Sequence, residues 1–438
     1  MRVFFHTFGC KANQYDTERM RQESEARGAR AVADWSDAQV CVLNTCTVTN
    51  QADADARRMV RRIRRDNPNA RVVVAGCSAA LRAAEYERMD GVAVVAGHDP
   101  HAVAAAVAPR LIQLEPSRAD RLGDPHAEPI GGELLRARAH ATRGWLKIQD
   151  GCDRQCSFCA TRLARGASRS RAADTVLAEA RLLARVHPEL VLTGIHIGHW
   201  GLDLAPPSTL ASLLELLVDH VPGVRFRLGS VEATEIDDAL LDLIAGSSGR
   251  VAPHLHMPLQ SGADPVLRRM RRWHTGEAYR RRALDIAERV PTLGLGADVI
   301  TGFPGETDAD HAATRALVAE LPFTYLHVFP FSPRDGTAAS ALHAADPVPQ
   351  RVAGERALEL RELAERKGAA HRAARVGQRA EVAVEAGGQA LTGDYLRVRA
   401  EGGSGGPGSS LQWGVLRSGG GDPHADLYID LTRSSAPI

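Results

Sequence analysis

The sequence predicts an α/β protein in three successive parts: an N-terminal parallel α/β domain, a partial (β/α)6 barrel and a small C-terminal β-barrel. Three observations predict it. Short apolar runs alternate with polar, helical-looking stretches through residues 1–115 and again through 137–374, the rhythm of βαβ units in a parallel sheet. After "VGQ" at 376–378 the text changes to short alternating strands, which suit a small closed barrel. At 438 residues and 44% hydrophobic content, the chain is long enough for about three cores of ordinary size.

In the first part "VFFHTF", "QVCVLNT", "RVVVAG" and "GVAVVAG" read as strands. A cysteine directly follows three of them: Cys10, Cys46 and Cys77, separated by 36 and 31 residues, about one βαβ unit each. The carboxyl ends of parallel strands share one edge, where ligands collect, so three distant cysteines can converge there. Residues 116–136, rich in Pro, Gly and charge, read as a linker.

In the second part "GWLKIQD", "LVLTGIHI", "RFRLGSVE", "HLHMPLQS", "GADVITGFP" and "YLHVFPFS" are six strand candidates. Helical stretches such as "ADTVLAEARLLARV" separate them, and an Arg/Glu-rich helix at 348–374 ends the domain. In the third part, 375–438, "RAEVAVEA", "DYLRVRA" and "DLYIDL" are strands, "EGGSGGPGSS" is a flexible loop, and the pattern is degenerate after Arg399. There is no repeat array and no P-loop.

The net charge of +1 carries no global sign of nucleic-acid binding, although arginines cluster in "RRMVRRIRRD" (57–66) and "RRMRRWH" (268–274). Either run suits RNA phosphates, with Trp273 available to stack on a base, and either also suits a solvated basic helix face. No apolar run reaches the roughly 18 residues of a membrane span, and the start "MRVFFHTFGC" lacks a signal-like pattern. The expectation is a cytoplasmic protein without a membrane partner. Seven cysteines in such a chain suit metal ligation better than disulfides.

The chemistry is concentrated in "GCDRQCSFC", residues 151–159, with Cys152, Cys156 and Cys159 and an aromatic Phe158 before the last thiol. Structural zinc closes with four ligands. Three thiolates instead suit three corners of a [4Fe–4S] cubane and leave one iron open. The stretch follows the first barrel strand, where β/α barrels place catalytic groups.

CxxxCxxC after the first strand of a partial β/α barrel resembles the radical S-adenosylmethionine enzymes. With Cys10, Cys46 and Cys77 and the C-terminal barrel, nearly the whole chain resembles the methylthiotransferases, with their N-terminal, radical and RNA-binding (TRAM) domains. "HTFGCKANQYDTE" and "LTGIHIG" resemble the branch acting on threonylcarbamoyl-adenosine in tRNA. The isopentenyl-adenosine branch carries a GCQMN-type motif and the branch modifying a ribosomal-protein aspartate a GCPKN-type motif. This chain departs from the family pattern at "ATRLARG" after Cys159, with Arg162 and no proline, and at "GSVEATEI", with Gly229 and Ala233.

The resemblance implies two [4Fe–4S] clusters, one on Cys152, Cys156 and Cys159 and one on Cys10, Cys46 and Cys77. The first would bind S-adenosylmethionine at its open iron and split it to a 5′-deoxyadenosyl radical. The second would hold the sulfur delivered to C2 of the adenine, and a second S-adenosylmethionine would methylate it. The implied partners are the anticodon stem-loop of tRNA, an electron donor such as a flavodoxin or ferredoxin, and a sulfur source. Candidate cofactor contacts are Phe158, Ser230, Glu232, Gln260, Asp298, Thr301 and Gly302. For the last three a plain strand-to-helix turn is the competing reading, and for Glu232 and Gln260 a structural hydrogen bond.

His254 and His256 share one face of a strand and suit interior packing or networks. Cys41, inside an apolar strand, suits a buried core position. His196, His199 and Trp200 suit substrate contact or loop packing. The competing functions are an iron–sulfur electron carrier, which would close its clusters with four protein ligands, an RNA-binding protein with structural metal, and the same enzyme class acting on isopentenyl-adenosine in tRNA or on a ribosomal-protein aspartate.

Overall fold

The computed structural model describes residues 1–95, 97–108, 134–403, 405–419 and 427–431; the expected linker lies outside these, except for its last three residues. Five parallel strands form the first sheet: β1 (Arg2–Thr7), β2 (Arg30–Val32), β3 (Val40–Thr45), β4 (Arg71–Gly76) and β5 (Val92–Val94), in the order β2-β1-β3-β4-β5. Its helices are α1 (Lys11–Ala26), α2 (Asn50–Asp66), α3 (Cys77–Glu87) and α4 (Pro100–Val107). β3 is buried along its whole length because helices cover both faces, as an unbroken apolar run requires. Cys41, Leu43, Val72 and Val74 pack with Ala56, Val60 and Ile63 of α2 and Tyr86 of α3. The alternate residues Val40, Val42, Val73 and Ala75 pack with Met20 of α1 and Val103 and Val107 of α4. Edge strand β2 was not foreseen; its three residues, Arg-Ala-Val, carry no alternation.

Six parallel strands then form an open barrel: β6 (Arg143–Lys147), β9 (Glu189–Thr193), β10 (Arg225–Leu228), β11 (His254–His256), β12 (Gly294–Thr301) and β13 (Tyr325–Pro330). A short antiparallel ribbon, β7 (Gln149–Asp150) with β8 (Arg169–Ser170), follows β6. β6, β9 and β10 pair in one run and β11, β12 and β13 in another, joined by parallel bridges Phe226 to Val251 and Ser230 to His256. Leu190, Leu192, Phe226, Leu228, Leu255, Leu295, Ala297 and Val299 join the core under the outer helices. The alternate positions Glu189, Arg225, Arg227, His254, His256, Gly296 and Asp298 therefore face the lumen.

Helix α1 covers the free edge at β6. Tyr15 belongs to the barrel's own apolar core, and its hydroxyl donates to Glu179 at 3.0 Å. The Leu135 amide donates to the same carboxylate at 2.8 Å, and Gln22 donates to the Leu134 carbonyl at 2.9 Å.

The last five strands, β14 (Arg379–Val384), β15 (Gln389–Thr392), β16 (Arg397–Glu401), β17 (Gln412–Ser418) and β18 (Leu427–Asp430), close into a barrel in the order β14-β15-β16-β18-β17. The text looked degenerate after Arg399 because Gly414 interrupts β17 and a Gly-rich loop precedes it. The ladder nevertheless closes through Leu416 opposite Ile429. Two lumen arginines clamp this barrel onto the larger one. Arg225 donates to the carbonyls of Glu381 and Leu391 at 3.0 and 3.3 Å, and Arg227 to those of Gly393 and Thr392 at 2.8 and 2.9 Å. Both pair with fully buried Glu189, at 2.6 and 2.9 Å. Among the described residues no helix is long and apolar enough to cross a membrane.

Removing Glu189 leaves two buried guanidinium groups without their carboxylate. Glu189→Ala is expected to lower the unfolding free energy by about 3–5 kcal/mol, read from the urea midpoint of the purified protein.

Candidate active site

Cys10 caps α1, Cys46 follows β3 and Cys77 opens α3, so the three lie at the carboxyl ends of the adjacent strands β1, β3 and β4. Gly9 has φ +94°, and a Cβ there would lie 2.6 Å from the Cys46 Sγ; the chain carrying Cys10 passes directly over Cys46. Asn13 ties these loops together, donating to the carbonyls of Phe8 and Thr45 at 2.9 Å each. The Cys77 Sγ lies 3.8 Å from the Asn13 Oδ1 and 3.7 Å from the His98 Nε2. Burial pushes the Cys77 thiol up to about 12 and raises that of Cys46. Thiols held this way lose their protons on coordination to a metal.

The second set sits in the loop after β7. Gly151 has φ +71°, and a Cβ there would lie 1.8 Å from the Ala167 carbonyl oxygen, so only glycine fits before Cys152. The loop is pinned by the Cys152 amide on the Gly166 carbonyl at 3.0 Å and the Ser157 amide on the Met270 carbonyl at 3.0 Å. Gln149 donates to the Gly151 carbonyl at 2.6 Å and accepts from the Ile195 and His196 amides at 3.1 and 2.9 Å.

Each thiol of this loop that has a polar neighbour has a cationic or ring nitrogen one. Cys152 Sγ is 3.5 Å from His196 Nδ1, and Arg272 donates to Cys156 Sγ at 3.6 Å. Burial pushes the Cys152 thiol up to about 11. A hollow of about 200 Å³ lies beside Cys156 and Cys159, lined also by Ser157, Arg162 and Thr337.

Arg165 joins the two sets. Six residues beyond Cys159, its guanidinium bonds Asp150 at 2.9 Å, Asp16 at 2.8 Å and Asn13 at 2.6 Å. Lys147 bonds the same two carboxylates, Asp16 at 2.6 Å and Asp150 at 2.9 Å. The helix Thr161–Arg165 packs directly on α3, which begins with Cys77.

The other expected contacts divide. Glu232 is buried and ion-paired with Arg272, which ties it to Cys156; burial pushes its carboxyl up to about 7 against the pull of Arg272. Phe158 packs with Phe303 and Phe331. Gln260 has φ +67° and bridges β12 with its backbone, while Ser230 is exposed and bridged to His256. Asp298 accepts from His256 at 3.1 Å and His327 at 3.2 Å. Burial opposes ionisation there, yet these two rings hold the Asp298 carboxyl well below the usual carboxylate range. Thr301 turns away from these groups and donates to the Ala353 carbonyl at 2.9 Å, and the Gly302 amide donates to Glu306 at 2.6 Å.

Several residues here were not foreseen. Glu235, from "GSVEATEI", accepts from His196 at 2.7 Å and from Arg154 at 3.2 Å. Trp273 is flanked by Arg154 and Arg272 at 3.9 and 4.2 Å. Most arginines of the two basic runs therefore have local partners. Arg272 is committed to Glu232 and Cys156, and Arg269 to the Gly305 carbonyl at 2.8 Å. On α2, Arg57, Arg58, Arg62, Arg64 and Arg65 each pair with a carboxylate. Cys41 lies in the core of the first domain.

Residues 2–97 match the uncharacterized protein family UPF0004 and residues 146–318 the radical SAM superfamily. Among solved structures, a radical S-adenosylmethionine methyltransferase, TsrM from Kitasatospora setae, superposes with a TM-score of 0.51 at 15% identity. It covers 75% of this chain and 72% of its own. Fold and matches together define a radical S-adenosylmethionine enzyme. The threonylcarbamoyladenosine tRNA methylthiotransferase MtaB of Bacillus subtilis (strain 168) is 38% identical, over 81% of this chain and 78% of the relative. Its namesake in Aquifex aeolicus is 32% identical over 92% and 97%. The tRNA-2-methylthio-N(6)-dimethylallyladenosine synthase of Parafrankia sp. is 35% identical over 87% and 77%. The chain belongs to the radical S-adenosylmethionine methylthiotransferase family.

An alanine at 151 must move the Ala167 carbonyl and adopt a left-handed backbone. Gly151→Ala is expected to cost at least about 2 kcal/mol of stability, measured by urea denaturation of the metal-free protein.

Proposed function

We propose that the protein transfers a methylthio group to C2 of N6-threonylcarbamoyladenosine next to the anticodon of tRNA. The observation that carries this reading is the bridge through Arg165 between two sets of three thiols, each one ligand short of a closed four-thiolate site. The donor sets suit iron–sulfur clusters. All six thiols are free, and the guanidinium groups of Arg165, beside Cys77, and Arg272, beside Cys156, stand where they offset thiolate charge. Cys152, Cys156 and Cys159 would hold one [4Fe–4S] cluster, and Cys10, Cys46 and Cys77 a second. With S-adenosylmethionine, these groups supply the one-electron chemistry and the sulfur that an aromatic C–H without acidity or leaving group demands.

The chain's own residues do the rest. Gln149 and Ser157 hold the thiol loop in shape. Arg272 hydrogen-bonds the Cys156 sulfur and is oriented by Glu232. Phe158 packs against the apolar cluster that contains Phe303 and Phe331, which places apolar surface beside the loop. An external electron donor, such as a flavodoxin or ferredoxin, and a sulfur source complete the balance.

The lumen favours threonylcarbamoyl over dimethylallyl. Its walls carry Lys11, Tyr325, Tyr395, His256, Asp298 and His327, which suit a carboxylate, a hydroxyl and a urea-like linkage. An isoprenoid-type chain would find few apolar partners there.

Nucleoside mass spectrometry of tRNA incubated with the reconstituted protein is expected to show 2-methylthio-N6-threonylcarbamoyladenosine. Cys156→Ala should abolish both this product and 5′-deoxyadenosine. Cys46→Ala, if it keeps the first cluster, should form 5′-deoxyadenosine without methylthio product. Cys41→Ala should cost about 1 kcal/mol of stability and support both reactions. Full product from Cys46→Ala would remove the sulfur-delivery role of the N-terminal set.

A further inference from the structure

We propose that Lys11 is the specificity-determining residue for the N6 substituent, forming an ion pair with the carboxylate of the threonylcarbamoyl group. This rests on the substrate reading above. Lys11 is the first residue of α1 and directly follows Cys10. Its side chain enters the lumen, where Nζ lies 5.9 Å from the centre of the Tyr395 ring. Tyr395 in turn stacks on His254 at 4.2 Å and lies 5.3 Å from Tyr325. The ammonium thus points into the space bounded by β10, β11 and β13.

Every neighbouring cation in this region has its anion. Arg225 and Arg227 share Glu189, Arg143 pairs with Glu385 at 2.6 Å, and Lys147 pairs with Asp16 and Asp150. Asp298 is occupied by His256 and His327. Among the described residues, the half-buried Lys11 ammonium has neither a carboxylate within ion-pair distance nor a hydrogen bond. A charge withdrawn from water without a counter-ion is costly, and a bound carboxylate relieves that cost. Among the described residues, Lys11 is the cation of this cluster left for an incoming anion.

The substrate's geometry agrees with the position of Lys11. In the six-membered ring of adenine, C2 and the carbon bearing N6 flank the same nitrogen, N1. A residue adjoining Cys10, in the thiol set assigned to sulfur delivery, is therefore within reach of a group on N6 when C2 faces the sulfur. A dimethylallyl group has no anion to offer and would leave Lys11 uncompensated, so the same side chain that attracts one substrate disfavours the other.

The test uses reconstituted full-length protein and three anticodon stem-loops. They carry threonylcarbamoyladenosine, its methylamide in place of the carboxylate, or dimethylallyladenosine. Lys11→Met is expected to lower kcat/KM for the first by about 10- to 100-fold, with the same iron content and the same slow 5′-deoxyadenosine formation in the absence of RNA. Lys11→Arg should restore most of the loss. The methylamide should already be poor with the unsubstituted protein and lose little more with Lys11→Met, the non-additivity of a direct contact. If the unsubstituted protein converts the first stem-loop and Lys11→Met does so equally well, the assignment of Lys11 fails while the substrate reading stands. Equal further loss on the methylamide also overturns the contact. Conversion of the dimethylallyl stem-loop alone overturns the substrate reading and the Lys11 proposal together.

Discussion

Arg165 and Lys147 sit buried between Asp16 and Asp150, two cations shared by two carboxylates drawn from different parts of the chain. Burying four charges is expensive, and such an arrangement often adds little net stability over an apolar equivalent. What it supplies is register. Asp16 lies in the helix that Cys10 caps, and Asp150 stands two residues before Cys152. Shared cations lock these carboxylates together, so the two thiol sets cannot move independently. Tyr15 on Glu179 extends the same seam along the helix.

With α1 held on the edge of β6, the open barrel becomes an enclosed space with walls from all three parts. The first domain contributes Lys11, the barrel contributes its inward histidines and Asp298, and the C-terminal barrel contributes Tyr395. That tyrosine has φ +70°, and its turn is anchored by the two lumen arginines and by Asp394, which accepts from His371 and Arg375 at 3.0 and 2.9 Å. The C-terminal barrel is therefore structural to the lumen as well as a candidate surface for RNA. In the proposed reading, reaction chemistry and substrate choice meet because Cys10 and Lys11 are neighbours in the chain.

The parts of this arrangement written as local pattern were legible in the sequence. The six strands of the large barrel carry apolar residues at alternate or successive positions between helical stretches, and the cysteines stand out by residue type and by their place after strands. β15 and β17 were missed because one is four residues long and the other holds a glycine, so their strand character comes from the closed ladder. Arg165, Glu235 and Tyr395 were not legible at all. Each gains its role only when segments distant in sequence meet, and an arginine in "ATRLARG" looks the same whether it is solvated or buried between two carboxylates. Arg272 shows the converse. It stood in a conspicuous basic run and looked available for RNA, yet its neighbours in space, Glu232 and Cys156, draw it into the thiol site. Thr301 and Gly302 likewise sat at a promising strand end, where the fold uses their hydrogen bonds for Ala353 and Glu306.

Two separate three-thiol cluster sites in one chain, as proposed, would hold twice the iron of one. Iron analysis of anaerobically reconstituted protein, beside a variant with Cys10, Cys46 and Cys77 all replaced by alanine, tests this most directly. About eight irons per chain are expected for the former and about four for the latter. About four irons in both proteins would contradict it.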